Sequence, residues 1–170
     1  MVAGSGRRWR GRLARWGLEA LLLAALFFGL RAWLQQDMAE GTAPELAGTT
    51  LDGRAFDLQA FSERPVLVHF WATWCRICRL EQDGIDAIAR DWPVITVAMQ
   101  SGDAAAVRAF LAREGLGFPV INDPDGALAR RWGVTGVPAS FIIDRQNRIV
   151  FRERGYTTET GLRARLRLAQ

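Results

Sequence analysis

An apolar run of strand length, Val66 to Trp71, leads within four residues into Cys75-Arg76-Ile77-Cys78, and a helix-length segment from Arg76 to Arg90 follows. The chain has no other cysteine. Two thiols separated by two residues at such a junction are placed to form and break a disulfide with each other, so the chemistry expected is thiol–disulfide exchange. A second apolar run, Val94 to Met99, completes a βαβ unit. That unit requires parallel strands joined by a right-handed crossover.

The remaining segments extend this core. Thr49 to Leu58 carries an Asp52-Gly53 turn between short strand-like arms and predicts a small hairpin. Asp103 to Glu114 predicts a second helix closed by Gly115, and Ala127 to Trp132 a short third one after the turn Asn122-Asp123-Pro124-Asp125-Gly126. Ala139 to Ile143 and Ile149 to Arg152, separated by Asp144-Arg145-Gln146-Asn147, predict an antiparallel hairpin, and Thr158 to Leu168 a final helix. The fold class expected is α/β, a central mixed β-sheet covered by helices on both faces.

The N-terminus has a different character. Residues 1–34 hold six arginines and one acid, Glu19, whereas residues 35–170 hold 16 arginines against 17 acids. The chain's net charge of +4 therefore belongs to its first segment, and a nearly neutral remainder gives no electrostatic reason to expect nucleic-acid binding. After the basic tail 1–15, Trp16 to Leu34 is apolar apart from Glu19 and Arg31. The stretch Trp16 to Trp33 spans roughly 27 Å as a helix, close to a bilayer's hydrocarbon thickness. Arg31-Ala32-Trp33-Leu34-Gln35 makes a poor cleavage site, so the expectation is a single uncleaved transmembrane signal anchor at 16–34. Arginines ahead of the span place the N-terminus in the cytoplasm and the cysteines beyond the inner membrane, in the periplasm or its equivalent. Residues 35–44 read as a linker and 45–170 as the catalytic domain.

Trp71-Ala72-Thr73-Trp74-Cys75-Arg76-Ile77-Cys78-Arg79-Leu80-Glu81, followed some distance on by Gly133-Val134-Thr135-Gly136-Val137-Pro138, resembles the thioredoxin superfamily. More narrowly the chain is similar to membrane-anchored TlpA/ResA/DsbE-like proteins and, within them, to the ScsD-like disulfide oxidoreductases associated with copper-sensitivity suppression. The resemblance implies a thioredoxin-like fold, protein thiol or disulfide substrates and no cofactor. It also implies a membrane electron donor or acceptor of DsbD or ScsB type. A reductase acting in cytochrome c maturation or copper tolerance is favoured over a general oxidase.

Roles are expected for seven residues. Cys75, at a helix start, faces unpaired N–H groups that stabilise a thiolate and is the nucleophile; Cys78, one turn on, is the resolving thiol. The resemblance implies a cis peptide before Pro138, with Trp74, Val137 and Pro138 forming the substrate platform. It also puts the chain's one histidine, His69, where thioredoxin has a buried acid that helps deprotonate the second cysteine, and Glu81 where TlpA-like proteins carry an acid that tunes the site. His69 as a backbone-bonded core residue and Glu81 as a surface carboxylate are the plainer alternatives. Arg76 beside the thiolate favours the reduced form if poorly screened.

Other chemistry for the pair is weaker. A purely structural disulfide across so short a loop constrains little of the unfolded chain. Structural zinc needs four ligands, and only two cysteines and one histidine exist. A peroxiredoxin would have Thr where Ala72 stands. Copper(I) buffering by the two thiolates is the alternative function, since soft ligands suit that ion.

Overall fold

The computed structural model describes residues 16, 18, 19, 21–27, 29, 30, 35–61, 63 and 65–170. Two compact units divide the chain, Met1–Gln36 and Asp37–Gln170. In the first, the described residues between 16 and 30 are helical, with Leu18, Leu21, Leu22, Leu23, Leu26 and Leu30 exposed. The basic tail 1–15 and residues 17, 20, 28 and 31–34 of the expected anchor lie outside the described residues. Among the described residues no helix is long and apolar enough to cross a membrane.

The second unit is built on a six-stranded mixed sheet. Its strands are β1 (Gly41–Thr42), β4 (Val66–Trp71), β5 (Val94–Met99), β6 (Val120–Asp123), β7 (Ala139–Ile143) and β8 (Arg148–Arg154), in the order β1-β8-β7-β4-β5-β6. β4, β5 and β6 run parallel, while β7 and β8 pair antiparallel. Between β1 and β4, β2 (Ala47–Thr49) and β3 (Ala55–Asp57) form the expected separate hairpin. The helices are α1 (Arg76–Arg79), α2 (Gln82–Ala89), α3 (Ala104–Glu114), α4 (Ala127–Arg131) and α5 (Glu159–Leu168). This is the thioredoxin-like architecture.

β4 is buried on both faces, which is why it reads as an unbroken apolar run rather than an alternating one. Val66, Val68 and Phe70 pack with Trp132, Phe141, Leu46 and Leu58; Leu67 and Trp71 pack on the opposite face with Ile85, Ile88, Phe110, Leu162 and Leu166. Each fully buried side chain of this kind contributes about 1.5–3 kcal/mol. α3 starts where Asp103 caps the Ala106 N–H and stops at Gly115 in the left-handed region, as its sequence predicts.

Three features differ from the sequence reading. Residues 35–44, expected as a linker, include a stretch packed into the domain: Met38 and Ala43 are buried, β1 pairs with β8, and Arg152 holds the Met38 carbonyl and pairs with Glu40. Strand β6 was not anticipated, because Asn122-Asp123-Pro124 breaks its apolar character after two residues. Asp123 ends this strand and accepts from the Leu128 and Ala129 N–H groups, which caps α4 where Gly126 has no side chain to do so. The helix expected over Arg76 to Arg90 is two helices, α1 and α2.

The packed N-terminal stretch depends on one glycine. Gly133 has φ +65°, and a Cβ there would sit 1.7 Å from the Asp37 carbonyl oxygen. Gly133→Ala is therefore expected to cost at least about 2 kcal/mol, combining a left-handed backbone with a clash against main chain. Urea denaturation of the folded domain checks this; a loss under 0.5 kcal/mol, about that of an ordinary surface substitution, would show that 37–39 do not lie against this turn.

Candidate active site

The C-terminal end of β4 delivers the chain to Cys75, whose extended backbone (φ −82°, ψ 109°) makes it the N-cap of α1. Its Sγ accepts from the Cys78 N–H at 3.1 Å and lies 3.6 Å from the Val137 carbonyl oxygen. Cys75 and Cys78 are joined as a disulfide with a Cα–Cα separation of 5.3 Å. The two sulfurs are unequal. Cys75 retains 6% exposure and Cys78 none, so an incoming group reaches Cys75 first.

α1 is only four residues long, which shifts the source of thiolate stabilisation from a helix dipole to the Cys78 N–H itself. The break after it has a clear local form. Leu80 N–H bonds to Ile77 and Glu81 N–H to Cys78, three residues back rather than four. This tightened turn swings Glu81 inward, where it is 4% exposed and accepts from the Thr157 N–H at 2.9 Å. Glu81 is thus a buried carboxyl and not a surface carboxylate.

His69 occupies the middle of β4 and is 1% exposed. Its Nδ1 lies 3.0 Å from Ser140 Oγ on β7, and its Nε2 lies 3.5 Å from Glu81 Oε1. The second contact has ion-pair spacing, but the charges argue against an ion pair. Burial lowers the imidazole to about 3 and raises the carboxyl to about 7, the Thr157 N–H pulling the latter back only in part. Between about pH 3 and about pH 7 the uncharged form of each group predominates.

Around the sulfurs, Val137–Pro138 is a cis peptide, and the Gly155 N–H bonds to the Pro138 carbonyl. Trp74 is 58% exposed, pinned by its indole N–H to the Gln100 carbonyl, whereas Trp71 is buried and bonded to Thr96. Ile77 and Leu80 are exposed on the same turn. Thr73 N–H bonds to Ser101 Oγ, and the Arg79 guanidinium bonds to the Thr73 carbonyl, so the loop before Cys75 is held from two sides.

All seven residues picked from the sequence gather in this region. Ser140, Thr157 and Ser101 were not among them. Ser140 lies two residues past Pro138 in a predicted strand, but nothing in a linear sequence pairs that strand with the one carrying His69. Among the described residues no group of three or more His, Cys, Asp and Glu side chains is assembled as a metal site.

A buried sulfur disulfide-bonded to a more exposed one at a helix start, beside a cis-proline loop on this sheet, decides the family once sequence comparison is added. The redoxin family profile matches residues 38–166. The chain belongs to the redoxin family. It is 34% identical over 158 residues to a thiol:disulfide interchange protein DsbE homolog of Paracoccus denitrificans, covering 84% of this chain and 88% of that one. It is 29% identical to the thiol-disulfide oxidoreductase ResA of Bacillus thuringiensis subsp. konkukian over 71% of this chain and 72% of the relative. The MTB DsbF structure superposes with a TM-score of 0.66 at 26% identity, covering 76% of this chain and all of DsbF. This redoxin is a thiol-disulfide oxidoreductase of the DsbE/ResA type, with Cys75 and Cys78 as its Cys-x-x-Cys.

Proposed function

We propose that this redoxin is a single-pass membrane protein, anchored by residues 16–34 with its N-terminus in the cytoplasm and its catalytic domain in the periplasm. It reduces protein disulfides there, in cytochrome c maturation or copper tolerance, and is itself recharged by a membrane protein of DsbD or ScsB type. The observation that carries the catalytic part is the asymmetry of the Cys75–Cys78 disulfide, one sulfur at the surface and one sealed. The anchor rests on the arginine-flanked apolar stretch and the exposed leucines of its described residues. A dithiol in an oxidising compartment needs a dedicated supply of electrons.

In the cycle, the Cys75 thiolate attacks a substrate disulfide, forming a mixed disulfide and releasing one substrate thiolate. Cys78 then loses its proton and attacks Cys75 Sγ, closing the internal disulfide and releasing the second substrate thiolate. Trp74, Val137 and Pro138 supply the platform on which the substrate backbone lies. The proton from Cys78 goes to Glu81. A carboxyl raised to about 7 is matched to that transfer, whereas an imidazole lowered to about 3 does not keep an added proton at neutral pH.

Intact cells producing the full chain, treated with a membrane-impermeant thiol reagent, test location and direction together. Direct labelling of Cys75 is the expected result. Labelling only after lysis overturns the periplasmic placement, and labelling only after prior reduction overturns the reductase direction.

A further inference from the structure

His69 stands in register between Ser140 of β7 and Thr96 of β5, and Glu153 of β8 lies opposite Ser140, so these side chains share the sheet face that Glu81 covers. Thr96 Oγ1 is engaged by the Trp71 indole and the Pro119 carbonyl. Glu153 is a further titratable group on that face, separated from His69 by Ser140. The imidazole therefore has Ser140 at one nitrogen and Glu81 at the other. His69 Nε2 and Glu81 Oε1 have no hydrogen-bond partner, both are buried, and they face each other at 3.5 Å.

A neutral imidazole carries one N–H. Ser140 Oγ can accept from Nδ1–H or donate to a bare Nδ1; in the first arrangement Nε2 is left as a bare lone pair facing Glu81 Oε1. A carboxylate oxygen offers that lone pair only repulsion, whereas a carboxyl O–H satisfies it. The other carboxyl oxygen is already fixed by the Thr157 N–H. We propose that Ser140 and His69 are positioning residues that hold the Glu81 proton on Oε1 in the oxidised protein, storing it one helical turn from Cys78 until the disulfide opens.

The inference rests on the assignment of Glu81 as proton carrier and specifies its regulation. When a thiolate of a donor protein's dithiol attacks Cys75, a new S–S bond forms to Cys75 and the Cys75–Cys78 bond breaks, its electron pair going to Cys78 Sγ. The stored proton moves from Glu81 Oε1 to that sulfur. A carboxylate remains, held by Thr157 N–H, ready to take the proton back when Cys78 next attacks. Ser140 takes part without touching a reacting atom.

Nitrogen-15 spectra of the imidazole in the oxidised full chain test this directly. The expected wild-type state is neutral, with Nδ1 protonated and Nε2 bare. Ser140→Ala removes the acceptor and frees the Nε2–H tautomer, which donates to a carboxylate, so the Glu81 titration should fall by about one pH unit; Ser140→Thr should restore it. A wild-type Nε2–H tautomer overturns the proposal even if no variant folds, as does a Ser140→Ala protein whose Glu81 titrates unchanged. Either result with normal exchange through Cys75 sinks this inference alone, while loss of the Glu81 effect on exchange sinks the underlying assignment.

Discussion

Cys78→Ala is expected to accumulate covalent complexes with its partners that disappear on reduction, while Cys75→Ala forms none and falls to background in disulfide exchange. The reason lies in the burial difference. A partner disulfide meets Cys75, the sulfur with 6% exposure, and Cys78, fully enclosed, can only act inward on Cys75. Removing Cys78 leaves the mixed disulfide without its internal attacker, so release waits on an external thiol. Reducing and non-reducing electrophoresis of the purified variants mixed with oxidised substrate protein reads the outcome. Complexes formed by Cys75→Ala rather than Cys78→Ala would reverse the two roles.

Glu81→Gln should slow release of substrate from the mixed disulfide by about 100-fold near pH 7, the loss typical of a missing general base. The amide keeps the shape and can still accept from Thr157 N–H, so packing changes little while the proton acceptor disappears. The deficit should narrow as the pH rises and the Cys78 thiol needs less help to lose its proton. Stability should respond in a related way. A carboxyl raised from 4.5 to about 7 binds its proton more tightly in the folded state, so the wild type loses stability as pH rises through that interval. His69, lowered from 6.5 to about 3, acts in the opposite sense, adding stability as pH rises between those values. Glu81→Gln should retain the histidine's rise and lack the fall above pH 6.5. Stopped-flow rates across pH and denaturant unfolding at pH 5.5 and 7.5 check both parts; a pH-independent ratio of variant to wild-type rates would remove Glu81 from proton transfer.

The sequence was most informative where the physics is local. The unbroken apolar run of β4, the Asp103 cap and Gly115 stop of α3, and the polar turn between β7 and β8 each declare themselves over a few residues. The two cysteines declared the chemistry in the same way. What stayed hidden depends on contacts between distant segments. β1 exists because β8 lies beside it, and β6, with Asn122 and Asp123 in a four-residue strand, because β5 pairs along it. The break between α1 and α2 has no proline or glycine to announce it, and Glu81 turns inward to meet Thr157, 76 residues later. His69 was visible as a lone polar residue in an apolar strand. Its partners were not, since Glu81 lies beyond the following loop and Ser140 lies 71 residues on, and both meet it only after the sheet has formed.

The two residues of β1 have a practical consequence for anyone cutting this protein free of its N-terminal segment. A fragment beginning at residue 45, where the sequence alone places the start of the domain, strips β1 from Arg148 and Ile149 and lengthens the unpaired outer edge of β8. Such a bare rim invites the same rim of a neighbouring molecule to zip onto it, the usual route from a sheet protein to insoluble aggregate. It also removes Met38 from its contacts beside Trp132 and the carbonyl oxygens that Arg152 grips. A fragment starting at Asp37 keeps β1 paired with Arg148 and Ile149.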